Sequence, residues 1–299
     1  MNTILHIGAH KTASTHVQMT LKRSSVALAS AGIDYFGPER TRRKQDALRL
    51  PELLNDDGIE ARSGRAHARG VFARSAGDLV ISDENILGMA HGLRMIREGR
   101  FYPGAAQRLA RLAETLPDRP LRLGLALRDP AGFLASAYCQ RLCAGKFLTW
   151  DDFIAGTDPA GMLWSDLLAR LRAVMPGLHW LVWTFEDYIR APETLVPALL
   201  DRPGFPAVVK RKLEHPGLSA AAQASLMAEV AHGLLDPDDE TAVKARAGTL
   251  RMDWSKDAGH AGFQPWSAEA LARSREAYAQ DLQRIAAQPG VRLWTPPPQ

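Results

Sequence analysis

The 299-residue sequence predicts an α/β fold, a mainly parallel sheet flanked by helices in three layers, with extra helices in the C-terminal half. Two observations predict it. Short apolar runs of strand length alternate with stretches of helical pattern along most of the chain. Three of the apolar runs end in polar clusters, as strands do where an α/β sheet binds its ligand.

Taken in order, residues 3–7 (TILHI) read as a parallel strand buried on both faces, ended by Gly8. Residues 14–31 read as a helix, rich in Ala and Leu, with Gly32 just past its end. A second strand is expected at 32–35, before the breaker Gly37–Pro38. Arginines then cluster at Arg40, Arg42, Arg43 with Lys44, and Arg49, and again at Arg62, Arg65, Arg69 and Arg74. These read as a solvated helical face and a mobile loop, or as a positive rim that draws in an anion. Residues 78–82 (DLVIS) are the third strand, with Asp83, Glu84 and Asn85 at its carboxyl end. A helix with proline near its first turn is expected at 103–116, and a strand at 121–127 ended by Arg128, Asp129 and Pro130. Residues 130–142 and 164–174 read as helices around the strand 178–184. Helices follow at 193–200 and 219–235, a polar loop-containing stretch at 236–262, and a long final helix at 266–287. The tail ends in three prolines and reads as loose. With neither repeat nor linker in evidence, a single domain over 1–299 is expected.

Composition narrows the function classes. Apolar residues make up 46%, ordinary for a globular chain, and the net charge of +4 is too mild to argue for nucleic acid. The two cysteines, Cys139 and Cys143, read as small apolar residues on a helix, and a disulfide scaffold is excluded. No run approaches the roughly 18 apolar residues that span a bilayer. The N-terminus shows no signal-peptide pattern, so a cytoplasmic protein is expected.

The turn after the first strand, AHKTAST, carries Lys11 with Thr12, Ser14 and Thr15. A helix N-terminus offers unpaired N–H groups and a partial positive charge, so a lysine and hydroxyls placed there make an anion cradle. A full G-x-x-x-x-G-K-[ST] loop would have glycine where His10 stands, which speaks against the usual binding of a nucleoside triphosphate.

The stretch HIGAHKTAST resembles the 5′-phosphosulfate loop of sulfotransferases that use 3′-phosphoadenosine 5′-phosphosulfate (PAPS), whose bacterial branch often reads H-I-G-x-x-K-T-G-T-T. LRDPAGFLASAYCQ is similar to the second motif of that family, an arginine at a strand end and a serine eight residues on, here Arg128 and Ser136. LVISDENIL resembles its strand ending in Ser-Glu, and the last helix, with Tyr278 and Asp281, its closing helix. The resemblance implies a P-loop-like fold and donor contacts from Gly8, Ala9, His10, Lys11, Thr12, Ala13, Ser14, Thr15, Arg128 and Ser136. It implies an acceptor alcohol, amine or carbohydrate and no metal. Ala13 departs from the family's glycine and is acceptable if it keeps a helical φ.

Physical chemistry gives these residues matching roles. The Lys11 ammonium stabilises charge building on a leaving phosphate, and Arg128 suits bidentate contact with another phosphate. Glu84, at a neighbouring strand end, is the expected general base, with His10 as the alternative base or hydrogen-bond donor. His6 reads as packed within its strand, His67 and His91 as possible substrate contacts, and Trp180 and Trp183 as core or pocket wall. Two other readings compete. A P-loop kinase or nucleotide hydrolase would use LVISDE as its carboxylate strand, and a non-catalytic relative would bind an anionic glycan or nucleotide.

Overall fold

The computed structural model describes residues 1–42, 48–88, 95–210, 217–255 and 258–297. Arg43, Lys44 and His91, named in the sequence reading, lie outside them. The strands are β1 (Thr3–His6), β2 (Ile33–Phe36), β3 (Asp78–Ser82), β4 (Ile96–Arg97), β5 (Arg100–Phe101), β6 (Leu121–Leu127), β7 (His179–Thr184) and β8 (Val291–Leu293). Six of them form one sheet in the order β2-β3-β1-β6-β7-β8, every pairing parallel, while β4 and β5 make a separate antiparallel hairpin. The fold is α/β: a mainly parallel sheet flanked by helices, with further helices in the C-terminal half.

Two compact units make up the chain. The first comprises Met1–Arg128, Leu163–Leu213 and Ala279–Gln299 and holds the whole sheet. The second comprises Asp129–Met162 and Glu214–Tyr278. It is built from the helices Pro130–Cys143, Trp150–Ile154, Ala220–Ala231 and Glu240–Asp253, with Tyr138, Leu142, Leu218, Leu226 and Leu250 in its core. Cys139 is buried in that core as a small apolar residue.

In the first unit β1 is central because all four of its residues are buried, which only a strand covered on both faces can satisfy. Its Thr3 stands opposite Leu79 of β3 and Leu121 of β6. The helices Ser14–Arg23 and Pro192–Leu199 supply Val17, Leu21, Leu195 and Leu199 to a core shared with Ile4, Val80 and Trp183. Each such fully buried aliphatic side chain contributes about 1.5–3 kcal/mol of transfer free energy. The order of strands decides where a ligand would sit. From β1 the chain leaves toward β2 on one side, and from its neighbour β6 it leaves toward β7 on the other. A crevice opens at such a reversal, outside the carboxyl ends of the two strands.

Several expectations needed revision. The helix expected over 14–31 breaks at Ser24 into Ser14–Arg23 and Ser25–Ser30, where the Ser24 backbone leaves the helical range (ψ 15°) and its hydroxyl donates to the Thr20 carbonyl at 2.8 Å. The polar stretch 236–262 contains a full helix, Glu240–Asp253, capped by Asp239 and buried along Val243, Ala247 and Leu250. The tail supplies the edge strand β8, whose three residues are too few to show a period. Arg62, Arg69 and Arg74 are solvated, but Arg65 of the helix Ile59–Ala73 is buried against Asp57 and Glu114.

His6 lies fully buried within β1, its Nδ1 2.7 Å from Ser82 Oγ and its ring 5.4 Å from that of Trp183. Burial lowers its pKa from 6.5 to about 4, against a smaller upward pull from Glu84. The unfolded chain therefore takes up a proton between pH 6.5 and about 4 that the folded chain refuses, so stability is lost as pH falls through that window. The expected loss is roughly 3 kcal/mol at the acid end. Urea titrations from pH 7 to pH 4 should show it. A His6→Gln variant should flatten that slope, and an unchanged slope would refute the assignment.

Candidate functional site

The chain past β1 keeps pairing with β6: the N–H groups of Ile7 and Ala9 donate to Gly124 and Ala126 at 3.0 and 3.2 Å. Gly8 stands between them because nothing larger fits. A Cβ there would lie 2.8 Å from His6 Nε2 and 3.1 Å from Ser14 Oγ. The turn that follows is wound by two left-handed residues, Lys11 (φ 64°) and Ala13 (φ 63°). The condition set for alanine at position 13, a helical φ, is not met: Ala13 holds the left-handed conformation that glycine adopts most easily.

That backbone aims donors outward. His16 and Val17 both donate to the Ala13 carbonyl, and no side chain caps the helix. Among the described residues no acceptor takes the N–H groups of Thr12, Ala13, Ser14 and Thr15. Four open N–H groups around two left-handed residues, at the positive end of a helix, form an anion nest. The hydroxyls divide. Thr12 Oγ1 and Ser14 Oγ donate inward to the Ala9 carbonyl at 2.5 and 3.1 Å and brace the turn, while Thr15 remains partly exposed.

Arg128, at the carboxyl end of β6, reaches this turn: its Nη1 donates to the Lys11 carbonyl at 2.8 Å. Its guanidinium lies 4.3 Å from the centre of the Phe185 ring, and its own carbonyl accepts from Trp164 Nε1 at 2.8 Å. Ser136 stands partly buried on the helix Pro130–Cys143 of the second unit.

The end of β3 forms the other wall. Asp83 is fully buried, receives Arg42 through two guanidinium nitrogens, and accepts from Thr41 Oγ1 at 2.6 Å and Asn85 N at 2.9 Å. Glu84, its side chain 13% exposed, pairs with Arg42 at 2.7 Å and accepts from Gln18 Nε2 at 2.6 Å. Burial alone would raise the Glu84 carboxyl. The charge of Arg42 and the bonds from Arg42 and Gln18 outweigh it and hold the pKa at about 2, with His10 adding to the pull once its ring is protonated at low pH.

His10 is buried and engaged on both sides, Nδ1 with Tyr102 Oη at 3.0 Å and Nε2 with the Asn85 amide at 2.9 Å, while its backbone N–H donates to Tyr102 Oη at 2.8 Å. Burial, only partly opposed by the Glu84 charge, lowers its pKa and keeps the ring neutral. A cavity of about 170 Å³ beside the turn is lined by Thr15, Gln18, Met19, Pro38, Arg42 and Glu84.

The structure thus brings Gly8 to Thr15, Glu84 and Arg128 to neighbouring strand ends of the first unit. Sequence reasoning missed Arg42 as a site residue, taking it for part of a basic run, placed Asn85 in a strand-end cluster without a role, and gave Gln18 and Tyr102 none. No spacing rule links Arg42, Gln18 or Tyr102 to Glu84 or His10, since they meet only through the packing of the parallel strands and their connections. Among the described residues no group of three or more His, Cys, Asp or Glu is placed to hold a metal ion, and no helix is long and apolar enough to cross a membrane. No model of a known protein family matches the chain, and no curated protein matches it.

Replacing Arg42 by Met leaves two buried carboxylates without their cation. The expected cost at pH 7 is about 3–5 kcal/mol of stability. Burial holds the Asp83 carboxyl above its ordinary value although Arg42 pulls it down; the acid-side loss follows from Glu84, whose folded pKa of about 2 lies below its ordinary 4.5. Its contribution is complete above 4.5 and is lost toward 2, so the gap between wild type and Arg42→Met should narrow as pH drops below 4.5. Guanidinium denaturation of both proteins at two pH values measures this, and a gap independent of pH would show that the pair contributes no such linkage.

Proposed function

We propose that the chain is a sulfotransferase that moves a sulfuryl group from PAPS to a hydroxyl or amine of an acceptor, with a carbohydrate among the candidates. The observation that carries this reading is the meeting of Lys11 and Arg128 at a turn with four open N–H groups, at the sheet's reversal point. The donor, when bound, supplies a sulfuryl group joined to a phosphate and a second phosphate on the ribose.

The residues present suit such a molecule. The nest and Thr15 would hold the 5′-phosphate, and the ammonium of Lys11 would neutralise the negative charge that grows there as the sulfuryl group departs. Arg128 would take the 3′-phosphate, and Ser136 enters this role from the sequence resemblance alone. Ala13 carries its side chain at the cost of a left-handed backbone, and its N–H has no acceptor among the described residues.

Glu84 is the group proposed to face the acceptor's hydroxyl, since it lines the cavity beside Thr15. With Arg42 in place its carboxylate is a weak base that orients the O–H, and its base strength rises if Arg42 turns away. His10 is the lesser candidate because both ring nitrogens are engaged. The kinase alternative would ask Asp83 to coordinate a metal with its oxygens, and those oxygens are committed to Arg42, Thr41 and Asn85.

Adenosine 3′,5′-bisphosphate should raise the melting temperature, by about 2.7 kcal/mol of added stability at a hundred times its Kd. A larger shift from ATP with magnesium would favour the kinase reading instead. Arg128→Ala should weaken the bisphosphate by about 2–5 kcal/mol in calorimetry and leave adenosine 5′-phosphosulfate, which lacks the 3′-phosphate, nearly unchanged. Equal losses for both would remove Arg128 from that role. Glu84→Gln should cut transfer from labelled PAPS by about 10²–10⁴-fold if the carboxylate acts as base, with bisphosphate affinity kept within a few-fold.

A further inference from the structure

A second cavity of the first unit, about 610 Å³, opens where the segment after Glu84 meets the start of the helix Ala105–Ala113. Arg97, Arg108 and Arg111 line it together with Asn55 and Gln107, and Leu87 and Pro103 supply apolar wall. Among the described residues, no aspartate or glutamate is part of that lining.

The arginines are built in rather than scattered. Arg108 is 7% exposed, and it donates to four neutral oxygens: Ile86 O, Asn55 Oδ1, Pro51 O and Asn85 O, at 2.5–2.8 Å. Arg111 is held by Asp57 at 2.9 and 2.6 Å, a carboxylate that also serves Arg65. Arg97 stands at the open edge, 3.3 Å from the exposed Glu98. The helix Ala105–Ala113 begins at the cavity wall, and among the described residues nothing accepts from the N–H groups of Ala106 and Gln107. Arg97 and the open N–H groups of the helix start can meet an anion directly, and Arg108 adds positive field from the wall with most of its donors committed, while Arg111 is matched by Asp57; the Gln107 amide both gives and takes hydrogen bonds, as sugar hydroxyls require. The volume is that of a small-molecule site.

Its place matters as much as its charge. Leu87, in the wall, is three residues from Glu84, so their Cα atoms lie within about 11 Å of each other. We propose that this cavity binds the anionic part of the acceptor, and that the acceptor is an acidic saccharide bearing a carboxylate or sulfate, with a hydroxyl of the same molecule reaching Glu84. The inference rests on the sulfotransferase reading and adds to it the class of acceptor.

The test uses sucrose octasulfate as the anionic probe and sucrose as its uncharged twin, by calorimetry on the full chain. Variants are Arg97→Ala and Gln107→Glu, both at exposed positions that leave the fold intact, with Lys11→Ala as the control for the phosphate turn. The expected result is that the octasulfate binds and sucrose does not. Arg97→Ala and Gln107→Glu should each weaken it at least tenfold without changing affinity for adenosine 3′,5′-bisphosphate, and Lys11→Ala should leave octasulfate binding intact. The proposal is overturned if the octasulfate does not bind, or if the rim variants bind it as wild type does. Loss of octasulfate binding in Lys11→Ala alone also overturns it, since the probe then sits in the phosphate turn. If the octasulfate responds to the rim variants but the bisphosphate fails to bind wild type, the donor reading falls, the acceptor role falls with it, and a saccharide-binding cavity remains.

Discussion

One guanidinium sets the geometry on which the candidate site depends. Asp83 and Glu84 are consecutive and both poorly exposed, and two such carboxylates cannot stay ionised side by side without a cation. Arg42 supplies it, touching both at once. The consequences spread along the chain. Gln18, on the helix that springs from the turn after β1, reaches the same Glu84 carboxylate, and His10 in that turn reaches Asn85. Asp83 N donates back to the His6 carbonyl of β1 at 3.0 Å. The helix Pro38–Thr41, the end of β3 and the turn after β1 are thereby tied into one polar cluster, whose members satisfy each other and lose that satisfaction together.

The turn itself carries conformational cost that its own contacts offset. A left-handed residue other than glycine costs about 1–2 kcal/mol, and Lys11 and Ala13 both adopt that conformation. Thr12 and Ser14 stabilise the arrangement from within by converging on the Ala9 carbonyl. Open N–H groups at such a place are what an anion can use without any rearrangement of the backbone, and donors fixed in advance are worth more to a developing charge than donors that must turn to meet it. Strain of this kind concentrates where a protein binds and reacts.

The fold was legible because its signal is local. Runs such as TILHI and DLVIS are apolar on both sides and ended by polar residues, and they became β1 and β3 almost as bounded. The glycine, lysine and hydroxyls of the turn announce themselves for the same reason, being contiguous. Elements of two to four residues, such as β4, β5 and β8, are too short for any period to emerge. Arg42 was illegible for a different reason. In sequence it is one of a run of basic residues, and only the pairing of β2 with β3 brings it to Asp83, 41 positions away. The same holds for Tyr102, whose hydroxyl meets His10 across 92 positions. Glu84 could be located from its strand end, but its protonation could not, because that depends on the partner the sequence concealed.

The segment from Glu84 to Leu87 then acquires a mechanical role. On its Glu84 side it is fixed by Arg42 and Gln18. Past that residue, the carbonyls of Asn85 and Ile86 are gripped by Arg108. A single short turn is thus clamped between two arginines that approach from different parts of the chain, one through its side-chain carboxylate and one through its backbone. Rigid placement of a polar group lowers the cost of ordering it when a ligand arrives, and a group held from both ends of its turn keeps its direction without relying on the ligand. Glu84 lines the cavity beside Thr15, and Leu87 and Arg108 line the arginine-lined space, so both cavities border this one clamped turn.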